Sequence, residues 1–535
     1  MAQHTASITQ NDLDYEVSRR RTFAIISHPD AGKTTLTEKL LLYAGAVDMA
    51  GSVRARKNQR NATSDWMEIE QQRGISITTA ALQFDCQGYR INLLDTPGHQ
   101  DFSEDTYRTL MVTDSAVMVL DAAKGIESQT KKLFQVCRLR STPIFTFINK
   151  LDRPGREPLE LLDEIERVMG ISPAPINWPI GNGPTFKGVY DLRSKSVMLF
   201  ERTEHGQYRA PVRVHDLYDG LLTELLGKDE HAGLIEEIEL INAAGTEFET
   251  DEFLAGRVTP VFFGSAINNF GLEPFWQALV ELAPSPGRYD AGPNSVEPAS
   301  PLFSGLIFKI QANMDPLHRD RVAFLRVCSG RLEKDMQVYN SRLGRKVRIA
   351  RAYRFFAGER EPVEEAYPGD VVGLANPGVF SIGDTLCAGR EIEFNTIPRF
   401  QPEHFCVLQN SDIGKYKQFN KGLEQLEEEG AIQVFFFVDS LRKEPVLAAV
   451  GELQFEVVTA RLRAEYGVET TVGKLPFSCA RWVEADTGTQ KEIIWPSRCK
   501  LAHDRNEKLV ALFSSEWELN YCREKNPQLI LKEWG

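Results

Sequence analysis

One eight-residue stretch constrains this chain more than any other: Ser27-His28-Pro29-Asp30-Ala31-Gly32-Lys33-Thr34. It follows the short apolar run TFAII and precedes LTEKLLLYAG, whose leucines recur at helical spacing and which ends on Gly45. Strand, tight loop and helix in that order form the setting of a phosphate-binding loop, G-x-x-x-x-G-K-[ST]. Gly32 lets the backbone approach an anion, and the loop amides and helix N-terminus favour its charge. Lys33 reaches toward β and γ phosphates, and Thr34, followed by Thr35, offers a hydroxyl to Mg²⁺. Ser27 stands where the pattern has its first glycine, and it is small enough to begin the turn. Taken alone, an ordinary strand–loop–helix carrying a lysine remains the alternative.

The surrounding sequence repeats this texture. From about 15 to 285, apolar runs alternate with amphipathic stretches, the pattern of a mostly parallel sheet covered by helices. Strands are expected at Thr22–Ile26, Tyr89–Leu94, Ser115–Leu120, Pro143–Ile148 and Pro260–Phe263, all short and rich in Ile, Val and Phe. The span from about 155 to 258 is too long for one crossover and is expected to hold an inserted subdomain, with PLELLDEIERVMG as one helix. Residues 283–301 carry five prolines and two glycines, and 286–301 is expected as a linker. From 302 to 392, short strands and turns predict a β-barrel. From 400 to 535, FNKGLEQLEEEG and ELQFEVVTARLRAEYG read as helices. AIQVFFFV, PVLAAVG and VETTVG read as extended, giving an α/β two-layer sandwich. The expected fold class is thus multidomain: an α/β P-loop domain with an insertion (1–285), a barrel, and a sandwich.

Three further segments sit just after predicted strands, where open α/β sheets bind ligands. Asp95-Thr96-Pro97-Gly98-His99 follows YRINLL. Its aspartate suits a water-mediated Mg²⁺ contact, and the Gly98 N–H suits a γ-phosphate. A plain turn is equally compatible with this segment alone. Asn149-Lys150-Leu151-Asp152 follows PIFTFI. A strand-end aspartate accepts two hydrogen bonds from guanine N1–H and N2–H₂, a pair that adenine lacks. Asn149 and Lys150 would brace the loop and pack on the base. Ser265-Ala266 follows PVFF, and its backbone would contact the guanine carbonyl. Each is weak alone; their ordered co-occurrence carries the assignment of a guanine nucleotide site.

These residues resemble the translational GTPases. The opening stretch is similar to that family's A-H-I-D-A-G-K-T-T loop, which itself lacks the first glycine. Arg73-Gly74-Ile75-Ser76-Ile77 resembles the switch I element R-G-I-T-I, with Ser76 in place of threonine; a serine keeps the hydroxyl for Mg²⁺. DTPGHQDF resembles switch II, with the family's catalytic histidine at His99. GELQFEVVTARLRAEYGVE resembles a signature in the third domain of elongation factor G-like members. Only about 65 residues follow Glu469, which leaves no room for the further domains of a translocase and points to the termination branch.

The resemblance implies binding of GTP and GDP with Mg²⁺ on Thr34, Ser76 and, through water, Asp95. It implies hydrolysis assisted by His99, Lys33 and Gly98 and activated by the ribosome, both rRNA and ribosomal proteins. It also implies departure of class I peptide release factors, and a cytoplasmic monomer. No arginine finger stands out in cis beyond Arg73 itself. Other roles stay open at this point: another elongation factor G-like activity, a GTP-regulated binding module that hydrolyses little, and an ATPase, which Asp152 opposes.

Bulk properties narrow the classes. A net charge of −13 excludes a chain whose whole surface coats nucleic acid. RNA contact must be local. SRLGRKVRIARAYR holds Arg342, Arg345, Lys346, Arg348, Arg351 and Arg354, either an rRNA-phosphate patch or a solvated strand face. Arg19–Arg21 is a lesser candidate. The eight cysteines form no C-x-x-C pair, so reduced thiols are expected. No apolar run is long enough for a membrane helix, and the N-terminus has no secretory h-region.

Overall fold

The computed structural model describes residues 9–45, 70, 76–200, 212–214, 216–244, 247–312, 321–356, 359–395, 400–439, 444–484 and 493–533. Arg73, Gly74 and Ile75 of the predicted switch I lie outside them.

A seven-stranded sheet organises the first 285 residues. Its order is Ala80–Cys86, Tyr89–Asp95, Arg20–Ser27, Ser115–Asp121, Ile144–Asn149, Val258–Phe263 and Ser172–Pro175. All neighbours are parallel except the first pair, a hairpin. The central strands are buried along their whole length, which is why they read as unbroken apolar runs. Side chains alternate between the two faces. Phe23, Ile25, Val117, Val119, Phe145 and Phe147 enter one core, while Ala24, Ile26, Ala116, Met118 and Ile148 enter the other.

Two edge strands escaped the sequence pattern. Ala80–Cys86 is half exposed, and Ser172–Pro175 carries two prolines, tolerable only at an edge. The second lies inside the expected insertion yet pairs with Val258–Val261. The expected helix is present as Pro158–Met169, and the rest of the insertion adds strands that show no pattern in the sequence. It holds a four-stranded antiparallel sheet (Asn177–Ile180, Gly188–Asp191, Ser196–Leu199, Val212–Val214) before its helices Gly220–Leu226, Lys228–Ala244 and Thr250–Leu254.

The proline-rich stretch 286–301 is not bare linker. Tyr289–Ala291 and Asn294–Val296 form a hairpin, and Tyr289 packs against Phe394 with ring centroids 5.7 Å apart. Burial pushes the Tyr289 phenol up to about 12. An eight-stranded antiparallel sheet follows, from Ser304–Ala312 to Thr385–Cys387. Its two end strands contribute Val347 and Val363 to one shared core, so the sheet curls on itself. The last segment builds another eight-stranded antiparallel sheet, from His404–Asn410 to Ile530–Lys532. Helices Tyr416–Glu428 and Leu453–Tyr466 cover the half containing Cys406, Leu408, Val434 and Leu447. Helix Glu516–Lys525 packs on the half beyond.

Buried charges join the first sheet to the barrel. Arg20 reaches Asp370 at 2.8 Å, and Thr22 Oγ1 donates to Gly369 O at 2.7 Å. Arg326 is fully buried and donates to Asp114 at 2.6 Å and to Gly369 O at 2.7 Å. Burial opposes the charge of Arg326, but Asp114 outweighs it and its pKa is raised. Arg19–Arg21 therefore offers no nucleic-acid patch: Arg19 pairs with Asp85, Arg20 with Asp370, and Arg21 donates to Val280 O and Ser18 O. Removing one partner of a buried pair leaves the other uncompensated. Asp114→Ala is expected to weaken this junction by about 3–5 kcal/mol. Denaturant titration followed by tryptophan fluorescence should show an earlier first transition; an unchanged midpoint would count against the pair.

Candidate functional site

The predicted loops meet at the carboxyl edge of the seven-stranded sheet. Strand Arg20–Ser27 leads into the first loop, and helix Lys33–Tyr43 leaves it. Asp30 (φ 65°) and Gly32 (φ 92°) both adopt left-handed backbone, and alternating handedness turns successive N–H groups inward as an anion nest. Gly32 is doubly constrained, since a Cβ there would clash with the Asn149 side chain. No side chain caps the helix at Gly32, which leaves its first amides for an anion. Ser27 has no positive φ, so the missing first glycine costs nothing. Its hydroxyl donates to His28 O at 2.8 Å.

His28 is buried, with Nδ1 3.0 Å from Glu127 Oε2. Burial, the largest influence, lowers its pKa. Pro29 lies against Gly98, where a Cβ would meet the His28 carbonyl and Pro29 at 3.7 Å. The second loop therefore rests on the first.

Lys33 Nζ is 2.5 Å from Asp95 Oδ1. Asp95 is 1% exposed, and among the described residues its Oδ2 has no hydrogen-bond partner. A buried carboxylate oxygen left unpartnered fits a hydrated cation. Thr34 and Thr35 lie half-buried in the first helical turn, and Ser76 is buried. Thr96 Oγ1 donates to Ile25 O at 2.7 Å, and Pro97 O accepts from Thr106 Oγ1 at 3.1 Å. His99 is about one-third exposed and begins the short turn Gln100–Phe102.

At the other end, Asn149 is 3% exposed and bridges two loops. Its Nδ2 donates to Ala31 O at 2.8 Å, and its Oδ1 accepts from Ala266 N at 2.9 Å. Lys150 (φ 71°) donates to Asp30 O and pairs with Asp121 at 2.9 Å. Asp152 Oδ1 accepts from Ser265 Oγ at 2.6 Å. Leu151 is a core residue, and its N–H donates to Gly264 O at 3.2 Å. Asn149 and Lys150 thus tie these loops together.

Several participants went unnoticed in the sequence. Asp121 ends strand Ser115–Asp121 and anchors Lys150; the same strand-end position flagged Asp95. Glu70 accepts from Ile77 N and Thr78 N at 3.0 and 3.1 Å. Lys309, from the barrel, donates to Thr79 O at 2.6 Å and lies 3.5 Å from Asp105. No local pattern marks these two, because their roles depend on partners outside any motif.

The basic stretch 341–354 divides. Arg342 is spent on Asp384, Arg348 on Asp335 and Arg354 on Glu361. Arg345 and Lys346, with Arg348, Lys421 and Arg321, which pairs with Glu428, line a groove of about 750 Å³ between the barrel and helix Tyr416–Glu428. Among the described residues, no cluster of metal-binding side chains occurs and no helix is long and apolar enough to cross a membrane.

Comparison with known proteins accounts for nearly the whole chain. Residues 18–285 match the elongation factor Tu GTP binding domain, 302–389 match elongation factor G domain 2, and 394–523 match the C-terminal domain of the class II release factor family. A peptide chain release factor 3 from Gloeobacter violaceus is 58% identical over 522 residues, covering 97% of this chain and 98% of the relative. One from Symbiobacterium thermophilum is 54% identical, covering 98% and 99%. A crystal structure of a Thermus thermophilus protein shares the fold, with a TM-score of 0.67 at 22% identity over 90% of this chain and 72% of that one. A GTP-binding module followed by a barrel and a release-factor C-terminal unit, with this identity along its length, places the chain in the peptide chain release factor 3 family of translational GTPases.

Proposed function

We propose that the protein hydrolyses GTP on the ribosome after peptide release and thereby promotes departure of class I release factors. The bridge from Ala31 through Asn149 to Ala266 supports this most, because it sets a phosphate loop and a base loop at one fixed separation. Residues 1–285 form the nucleotide domain, with an insertion at about 155–258. Residues 302–392 and 400–535 form the units that engage the ribosome. The factor acts as a cytoplasmic monomer.

Phosphoryl transfer needs positioning and charge neutralisation more than covalent chemistry. The amides of the nest from Ser27 to Gly32 receive the phosphates. Lys33 neutralises charge at the β and γ positions, exchanging its contact with Asp95 for phosphate oxygens. Thr34, Ser76 and, through water, Asp95 would hold Mg²⁺, which would supply charge neutralisation to the phosphates. Gly98 offers its N–H to the γ-phosphate, and His99 aligns the attacking water. Asp152, held by Ser265, accepts from guanine. Arg345 and Lys346 contact RNA phosphate across their groove.

His99→Ala is expected to retain GTP binding and to lose about a hundredfold or more of ribosome-stimulated turnover. Phosphate release with and without ribosomes measures this, and undiminished stimulation would refute the role. Asp152→Asn should weaken GTP by about tenfold to a hundredfold, each charged hydrogen bond contributing about 1.5–3 kcal/mol. Xanthosine triphosphate should regain what GTP loses in a competition assay; equal GTP affinity would remove guanine from this position. Charge reversal at Arg345 and Lys346 should reduce ribosome affinity about tenfold and flatten its salt dependence. Sedimentation binding at two salt concentrations decides it, and unchanged binding would leave a solvated face.

A further inference from the structure

A carboxylate of switch II reaches into the third unit, beside the contacts that Arg108 makes with Glu429 O and Gly430 O. Asp101 is 7% exposed, and its Oδ2 accepts the backbone N–H of Leu453 at 2.8 Å. Leu453 is the first residue of helix Leu453–Tyr466, whose own N-cap residue, Glu452, makes no capping hydrogen bond. A side chain from the nucleotide domain therefore caps a helix 352 residues away in sequence. Gly451 makes room for it, since a Cβ there would clash with the Asp101 carboxylate. The same Asp101 faces His99. Its backbone N–H donates to His99 Nδ1 at 3.3 Å, and its Oδ1 lies 3.3 Å from that nitrogen. Next to it, Phe102, Ile77, Val457 and Leu453 form a small apolar cluster joining both switch segments to that helix.

We propose that Asp101 is a positioning residue through which the third unit sets the orientation of His99. When helix Leu453–Tyr466 is seated, its first amide holds one carboxylate oxygen and so fixes Asp101 beside the imidazole, where Nδ1 accepts the Asp101 amide when unprotonated or donates to the other oxygen when it carries a proton. A rotation of the third unit withdraws the cap and releases His99. Domain arrangement thereby governs hydrolysis as well as responding to it, and the coupling is reciprocal. This rests on the assignment of His99 to the attacking water.

The test uses the full chain, ribosomes and GTP. Gly451→Ala displaces the carboxylate without touching the nucleotide loops; Asp101→Asn keeps the shape and removes the charge. Each should lower the ribosome-stimulated kcat by about tenfold to a hundredfold, as expected for a misplacement near 1 Å. The KM for ribosomes should stay within about twofold, and Gly451→Ala should keep its GDP affinity. The deciding measurement places Gly451→Ala in the His99→Ala background, where it should cost nothing further. An equal loss in both backgrounds would show a structural role alone and overturn the proposal. Normal kcat in both single variants, with His99→Ala inactive, would overturn it while leaving His99 in place. If His99→Ala keeps full turnover, the assignment of His99 fails and the latch fails with it. Should Gly451→Ala not fold, as judged by its melting curve, Asp101→Asn alone and in the His99→Ala background decides the same question.

Discussion

The amide of Asn149 is the joint on which the site depends. It stands at the end of a buried strand and holds the Ala31 carbonyl with one atom and the Ala266 amide with the other. Both bonds are shielded from water, where an unmade partner would carry its full desolvation cost. Gly32 must lack a side chain because this amide occupies the space beside it. Lys150 repeats the device one residue on, tying Asp30 to Asp121. The two bridges make separate loops into one rigid rim.

A second layer of constraint lies where the three sheets meet. Arg326, Arg20 and Lys309 are buried cations that each find a carboxylate or carbonyl in another unit. Burial lowers the pKa of Lys309, with Asp105, Glu70 and Glu429 opposing that. Burial likewise raises the pKa of Glu429, while Arg461, 2.6 Å away, works against it. Such joints tolerate one arrangement and penalise small displacement.

Legibility followed burial. Four of the five inner strands were readable because they are covered on both faces, and Tyr89–Asp95 because it is buried from Ile91 onward. Ala80–Cys86 and Ser172–Pro175 were not, because an edge strand needs only half a pattern and admits proline. In the insertion, helix Pro158–Met169 was readable, but the strands Gly188–Asp191 and Ser196–Leu199 are too brief to show a period. The loops predicted for a nucleotide were picked out by their order along the chain, and they meet at one edge of the first sheet. Asp121, Lys309 and Asp101 were not assigned there, since an aspartate or lysine carries no mark of its partner. Arg19–Arg21 read as a basic patch and is instead a set of structural joints.

The sequence by itself determined four strand-end loops, their order and the family they resemble. A loop built to receive phosphate and an aspartate placed to accept from a base would each demand particular residues at particular strand ends, and that demand is local. Tertiary structure alone decided which charges are spent and which are free. It also decided that Asp101 of one unit caps a helix of another. Those outcomes depend on distances between residues far apart in the chain, fixed only when the sheets pack and exclude water.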